Sequence, residues 1–232
     1  MSTENPTKTE YVCRYCEKGF QRETSLAVHV CEQKRRYQEE KEVGVQLGLQ
    51  AYLRFYELTQ GSAKLKSFDD FARSPYYRAF VRFGRHIQAI RAVNPPRFIE
   101  WVIKQNKKID HWCRDAIYTE YITQYIRSEA VDDALARAME TALAWQETSG
   151  NPARDYLRYS NANAVCYAIA TGRISPWVLY NSDSGNDFLG TLNQEQIAMI
   201  WSMIDADFWS RKLHDYPADV EYIKQLLKQA GW

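Results

Sequence analysis

Polar and apolar residues alternate only within the first 21 positions of the chain; beyond them the apolar residues recur at helical spacing. Val43 opens a series that runs through Leu47, Leu49, Tyr52, Leu53, Tyr56 and Leu58 to Gly61, which predicts one helix. Ahead of it, Glu32 to Glu42 is almost wholly polar and reads as a solvated helix or linker, able to run on into that helix. Tyr76, Phe80, Phe83, Ile87 and Ile90 recur every three or four residues and form one apolar face. In the closing segment Val220, Ile223, Leu226 and Leu227 share one side of an amphipathic helix, expected to dock on the body.

Helix boundaries are legible too. Ser67 with Asp70, and Asn193 with Gln196, have the spacing of a capping box. Ser74-Pro75, Asn94-Pro95, Asn151-Pro152 and Ser175-Pro176 each put a cap residue before a proline, and Asp205 supplies a further start. Gly150, Gly172 and Gly231 stand where helices should stop. The fold class is therefore mostly α: a small N-terminal ββα-like piece followed by an all-α multi-helix domain. The expected divisions are a disordered leader over residues 1–9, the small piece over 10–32, a connecting helix over 33–61 and the all-α domain over 62–232.

Composition narrows the class without changing that picture. The 232 residues are 45% hydrophobic and 25% charged, and sixteen Tyr, nine Phe and seven Trp supply ample surface to bury. Ten Gly and seven Pro exclude a low-complexity chain. No secretory leader and no run long enough to span a bilayer is evident. Five cysteines, an odd number, fit a reducing compartment, so a soluble cytoplasmic protein is expected. Cys113 and Cys166 stand alone in helical patterns and read as inert thiols.

Charge is segregated along the chain. Ser62 to Arg114 holds 12 Lys/Arg against 4 Asp/Glu, while Asp115 to Trp232 holds 9 against 16. An anionic partner for the middle segment is one reading, and mutual attraction of the two segments is another. On the helix with the Phe80 face, Arg78, Arg82 and Arg85 line the opposite side about one turn apart, a spacing suited to successive phosphates. Few acidic residues lie close to them in sequence, and Lys104, Lys107 and Lys108 follow.

Candidate chemistry concentrates in CRYCEKGFQRETSLAVHVC, from Cys13 to Cys31. Cys13 and Cys16 flank two residues, a spacing that lets a tight turn aim both thiolates at one metal; twelve more separate Cys16 from His29. Phe20 and Leu26 sit where a small ββα unit needs its two core side chains. The stretch from Tyr11 to Cys31 resembles the C2H2-type zinc fingers. That resemblance implies tetrahedral Zn2+ held by Cys13, Cys16, His29 and Cys31, a Cys3His variant. It also implies base-facing residues at Arg22, Thr24, Ser25 and Val28, with Lys34, Arg35 and Arg36 placed for phosphates. This sequence departs from the family at His29 and Cys31, which have a single residue between them. On a regular helix they would point about 200° apart. Either the helix loosens at Val30, or the fourth ligand is another group, and no other His or Cys lies nearer than His86.

The whole chain resembles uncharacterised zinc-finger proteins of large tailed bacteriophages, which implies work in the host cytoplasm in replication, recombination or transcription. The remaining polar constellations have bland readings. Asp132-Asp133 and Asp205 with Asp207 suit helix starts, and His111 with Cys113 lacks a third catalytic group. His214-Asp215 reads as surface, while Asn161 and Asn163 suggest a buried polar network. The first functional expectation is a non-enzymatic, zinc-dependent nucleic-acid-binding accessory protein, with DNA ahead of RNA. The second is an adaptor whose finger and terminal helix grip a polymerase, clamp or virion component. A helical nuclease ranks last.

Overall fold

The computed structural model describes residues 11–61 and 66–232. The leader expected over 1–9 and the boundary expected at residue 62 lie outside the described residues. Among those residues the chain is mostly helical, with fifteen α-helices and one two-stranded sheet at its head. It divides into two compact units. The first runs to Arg91 and resumes over Pro95–Cys113; the second comprises Ala92–Asn94 and Arg114–Trp232.

The first unit begins with the antiparallel pair β1 (Tyr11–Val12) and β2 (Gly19–Phe20), with Tyr11 opposite Phe20. Six helices follow: α1 (Glu23–Ala27), α2 (Glu32–Gln38), α3 (Val43–Gln60), α4 (Phe68–Arg73), α5 (Tyr77–Ala89) and α6 (Pro95–Lys104). The polar linker and the apolar series are two helices rather than one. Glu39 caps the end of α2, and Glu42 turns to an extended backbone before α3. No apolar residue between positions 39 and 42 anchors a continuous helix, and the Gln46 amide donates to the Glu40 carbonyl across the break at 2.6 Å. The Ser67–Asp70 capping box forms as its spacing indicates.

The core of this unit is the crossing of α3 and α5. Gly44 and Gly48 on α3 meet Gly84 on α5 with the backbones in contact. A Cβ on Gly48 would come 2.8 Å from the Phe80 carbonyl oxygen, and one on Gly84 would overlap the Gly44 carbonyl and the Gly48 nitrogen. Only glycine admits that approach. Phe71, Phe80, Phe83, Phe98 and Trp112 fill the space around it. One expected position moves: Tyr76 precedes α5 and is 55% exposed, and its neighbour Tyr77 takes the buried place. The reason is the start of the helix, which falls two residues beyond Pro75 and leaves Tyr76 as the cap outside the inward face, while Phe80, Phe83 and Ile87 stay on it.

The second unit contains α7 (Asp115–Ser128), α8 (Val131–Ser149), α9 (Tyr156–Tyr159), α10 (Ala162–Ala170), α11 (Pro176–Leu179), α12 (Asp183–Thr191), α13 (Gln194–Ile200), α14 (Ala206–Asp215) and α15 (Pro217–Ala230). Ser175, Asn193 and Asp205 cap their helices as read, and Gly150 and Gly231 end theirs in the left-handed conformation. Ile223, Leu227 and Trp232 bury the terminal helix within this unit. Asn161 and Asn163 correct the expectation of a buried polar network. Both are exposed: Asn161 caps α10 and Asn163 accepts from Gln196, because α10 begins at Ala162 and leaves them on its open first turn.

A buried ion pair lies elsewhere, where no pattern in the sequence signals it. Glu129 is fully buried, accepts from Arg137 at 2.5 Å and from the Ser175 hydroxyl at 2.7 Å, and burial pushes its carboxyl above the usual range.

Two predictions follow from these cores. Gly84→Ala is expected to lower stability by about 1–3 kcal/mol through backbone overlap. Gly190→Ala, with nothing within 4 Å, should be neutral or slightly stabilising in the same chemical denaturation series. Arg137→Ala should cost about 3–5 kcal/mol by stranding the Glu129 charge. Burial raises the folded-state pKa of Glu129 above its unfolded value, so neutralising this carboxyl favours the fold and that contribution fades as pH rises through the folded pKa. The loss in Arg137→Ala is therefore expected to be smaller near pH 5 than near pH 8. Equal losses at both would show that Glu129 is not the stranded group.

Candidate metal centre and arginine groove

The metal candidate is assembled by a turn within a strand pair and the segment that joins the end of α1 to the start of α2. Cys13 follows β1, and its carbonyl accepts from Glu17 N–H at 2.8 Å, while its own N–H donates to the Lys18 carbonyl at 3.0 Å. Glu17 takes a left-handed φ of 61° to close that turn. The backbone N–H of Cys16 lowers the Cys13 thiol below its ordinary value, against the opposing effect of burial, which favours the thiolate a metal needs.

The close spacing of His29 and Cys31 is resolved by the backbone. Helix α1 ends at Ala27 with Val28 as its cap, so residues 29 to 31 lie outside any helix. Cys31 is extended, with φ −117° and ψ 164°. In extended chain, positions two apart face the same side, whereas on a helix they diverge. The ligand atoms of Cys13, Cys16, His29 and Cys31 accordingly all lie within 4.8 Å of one another, with Cys16 Sγ 3.3 Å from His29 Nε2. A tetrahedral centre with metal–sulfur bonds of about 2.3 Å places neighbouring donors roughly 3.7 Å apart. The four donors fit such a centre. Three thiolates and an imidazole match the soft donor set of closed structural sites, and four protein ligands fill a tetrahedral shell. The Phe20 ring packs against His29 with centroids 4.8 Å apart, and Leu26 is half-buried beside this small core.

Cys31 has a second role. It is the N-cap of α2, and its Sγ accepts from the Lys34 N–H at 3.4 Å. The ammonium of Lys34 turns back to the His29 carbonyl at 3.3 Å, so this residue braces the metal candidate rather than facing outward. Tyr15 stacks near Tyr37 of α2 at 5.0 Å, and Tyr37 meets Phe68 at 5.5 Å. The head of the chain is thus tied to α2 through a ligand, a lysine and a pair of rings.

Of the residues expected to face bases, Arg22, Thr24, Ser25 and Val28 are all exposed along α1 and its ends. That helix has five residues, about 7.5 Å of length, with Val28 already at its cap. The arginines behave differently. Arg35 and Arg36 from α2 and Arg78, Arg82 and Arg85 from α5 line a single groove of about 350 Å³, together with Glu32, Glu39 and Tyr77. Sequence separations of more than 40 residues close there into one surface.

Within the groove the arginines have partners that the sequence reading did not assign. Arg78 reaches Glu32 at 2.6 Å, and Arg85 reaches Glu42 at 2.8 Å and Glu39 at 3.3 Å. Arg82 donates to the Asp110 carbonyl at 3.0 Å. Arg36 is largely buried; it bonds Glu32 at 2.5 Å and the Ala72 carbonyl at 2.7 Å, and lies over the Tyr77 ring. Hydrogen bonds from Arg36 and then Arg78 hold the Glu32 carboxyl down at about 2. The Arg35 guanidinium makes no hydrogen bond or ion pair among the described residues, although its backbone N–H donates to the Cys31 carbonyl. Tyr77 is 4% exposed, its hydroxyl has no hydrogen-bond partner among the described residues, and burial pushes its pKa up to about 12, so at neutral pH it stays protonated. A signal for these partners existed in the sequence. Glu32, Arg36 and Glu39 recur at helical spacing and so share one face of α2.

Cys166 is buried and Cys113 half-buried, and burial raises both thiols, as expected of inert cysteines. His214 and Asp215 are exposed at the end of α14. No helix among the described residues is long and apolar enough to cross a membrane. No protein-family model, curated protein or solved structure matches the chain.

The double role of Cys31 separates by substitution. Cys31→Ser and Cys31→Ala are both expected to lose metal from a stoichiometry of one per chain, measured by plasma mass spectrometry on purified protein. Serine still caps a helix, so Cys31→Ala should be about 1 kcal/mol less stable than Cys31→Ser. Full metal content in either variant would remove Cys31 from the ligand set.

Proposed function

We propose that the chain is a non-enzymatic, zinc-dependent nucleic-acid-binding accessory protein, in which Zn2+ is structural and the first unit supplies the surface for the polyanion. The observation that carries this reading is the convergence of Arg35, Arg36, Arg78, Arg82 and Arg85 on one groove. When bound at Cys13, Cys16, His29 and Cys31, the metal supplies a rigid crosslink and no open coordination position. Its residues hold the start of α2, and α2 forms one wall of the groove.

The glutamates in the groove do not outweigh the arginines. Glu32 and Glu39 in the groove and Glu42 beside it offset part of the positive charge, but the Arg35 guanidinium has no ion pair among the described residues and Arg82 meets a carbonyl and the Cys113 thiol rather than a paired carboxylate. The pair of Arg78 and Glu32 is solvent-exposed on the arginine side, at 78%, and such pairs are worth about 0–1 kcal/mol. A phosphate can exchange with those carboxylates at little cost. Five residues of α1 are too short to span a three-base-pair step, so Arg22, Thr24 and Ser25 are assigned to backbone contact, with sequence readout secondary. The setting in replication, recombination or transcription, and DNA ahead of RNA, rest on the resemblances alone.

One observation favours the adaptor as a second reading: Val12, Val28 and Val30 on the metal-bearing head are 53%, 78% and 65% exposed. Co-purification of one stoichiometric protein, with no retardation of DNA or RNA at low salt, would select it.

Fluorescence anisotropy across a salt series tests the first reading. Affinity is expected to fall log-linearly with salt. The variant Arg78→Ala/Arg82→Ala/Arg85→Ala should weaken binding at least tenfold and flatten the slope by about 2–3. Glu32→Gln should tighten binding by releasing Arg78. Unchanged affinity and slope in the triple variant would detach the groove from function.

A further inference from the structure

A second concavity of the first unit, about 460 Å³, opens on the other side of α5. Its volume falls among small-molecule pockets, about 300–1,000 Å³. Phe55, Tyr56, Phe80 and Trp112 wall it and pack on one another: Phe55 meets Phe80 at 5.9 Å and Trp112 at 6.3 Å, and Phe80 meets Trp112 at 5.9 Å. These rings are already committed to the core. Tyr76 is not. It lines the same pocket, is 55% exposed and has no ring partner among the described residues.

The polar lining is as selective as the rings. Gln60 and Asn106 bring two side-chain amides, each with donors and an acceptor. Asn106 takes a left-handed φ of 53°, turning the chain after α6 so that Lys107 and Lys108 also line the pocket. The Trp112 indole holds that turn by donating to the Lys107 carbonyl at 2.9 Å. Lys66 adds another cation 5.0 Å from the Tyr56 ring. Among the described residues no carboxylate lines this pocket, in contrast to the arginine groove.

A ligand that satisfies this set is flat on one side, carries hydrogen-bonding edges in the plane and bears a negative charge nearby. We propose that the pocket receives one unpaired nucleobase with its phosphate, stacked on Tyr76, with Gln60 and Asn106 at the base edge and Lys107 and Lys108 toward the phosphate. A paired base inside a duplex offers no free face to Tyr76, so the pocket selects single strands. This deepens the nucleic-acid reading and rests on it for the polymeric ligand, although the pocket is separately testable with mononucleotides. The shared chemistry has two sources, a free nucleotide and a residue of a strand.

Calorimetric titration with a nucleoside monophosphate and with ribose 5-phosphate, alongside anisotropy with single-stranded and duplex DNA of one sequence, separates the possibilities. Binding of the mononucleotide but not of ribose 5-phosphate is expected, together with a preference for the single strand. Tyr76→Ala should weaken single-strand binding about five- to a hundredfold and leave duplex binding unchanged. Tyr76→Phe should retain it, and because Tyr76 is exposed its loss should leave the thermal midpoint in place. The arginine triple variant should keep mononucleotide affinity while losing strand affinity. Equal binding of ribose 5-phosphate, or a single-strand affinity indifferent to Tyr76→Ala, would overturn the pocket while leaving the arginine groove standing. Mononucleotide binding without strand binding would instead keep the pocket and remove the polymer reading. Absence of both would end both.

Discussion

The contact of α3 with α5 through Gly44, Gly48 and Gly84 is the constraint on which the first unit rests. Close approach of the two backbones leaves no room for side chains between them, so the orientation of α5 about its axis is fixed. With Phe80, Phe83 and Ile87 turned inward, Arg78, Arg82 and Arg85 have to face α2, and Tyr76 is left at the rim of the aromatic pocket. Both candidate binding surfaces therefore inherit their geometry from three residues that have no side chains.

The metal candidate works on the opposite wall. A head of some twenty residues has too little apolar surface to hold itself, as the half-exposed Phe20 and Leu26 illustrate. A metal held by the four candidate ligands would compensate for that shortage. Because Cys31 is also the cap of α2, the same atoms that close the head define where α2 begins. The direction of α2 then sets where Glu32, Arg35, Arg36 and Glu39 meet the arginines of α5. Interior charge in the groove is organised as alternating arginine and glutamate, a pattern that holds a cationic surface in place without leaving it self-repelling.

Much of this was legible in the sequence, and the limits have physical causes. Capping boxes and terminal glycines depend on residues three or four apart, so Ser67–Asp70, Asn193–Gln196, Gly150 and Gly231 could be read directly. Cys13, Cys16 and His29 were readable from their spacing, whereas Cys31 followed only from the resemblance, because its closeness to His29 argued against a shared site until residues 29 to 31 were found outside any helix. The Asn161–Asn163 reading went astray because an N-cap and an interior polar residue look alike until the first helical turn is located. The aromatic pocket carried no signal, because its walls come from α3, α5 and the turn after α6.

By itself the sequence determined the helical class, several helix boundaries and most members of the candidate metal cluster, all of which follow from short-range spacing and the chemistry of single residues. It also marked Arg78, Arg82 and Arg85 as one face. Only the tertiary structure decided what that face meets. Ion pairing and burial depend on distances in space, and Glu32, Glu39 and Glu42 come within reach of α5 only once α2 folds back across more than 40 residues of chain. The His29–Cys31 spacing belongs to the same division. It looked like a defect on an assumed helix and became compatible with one cluster once residues 29 to 31 were found outside any helix, with Cys31 extended.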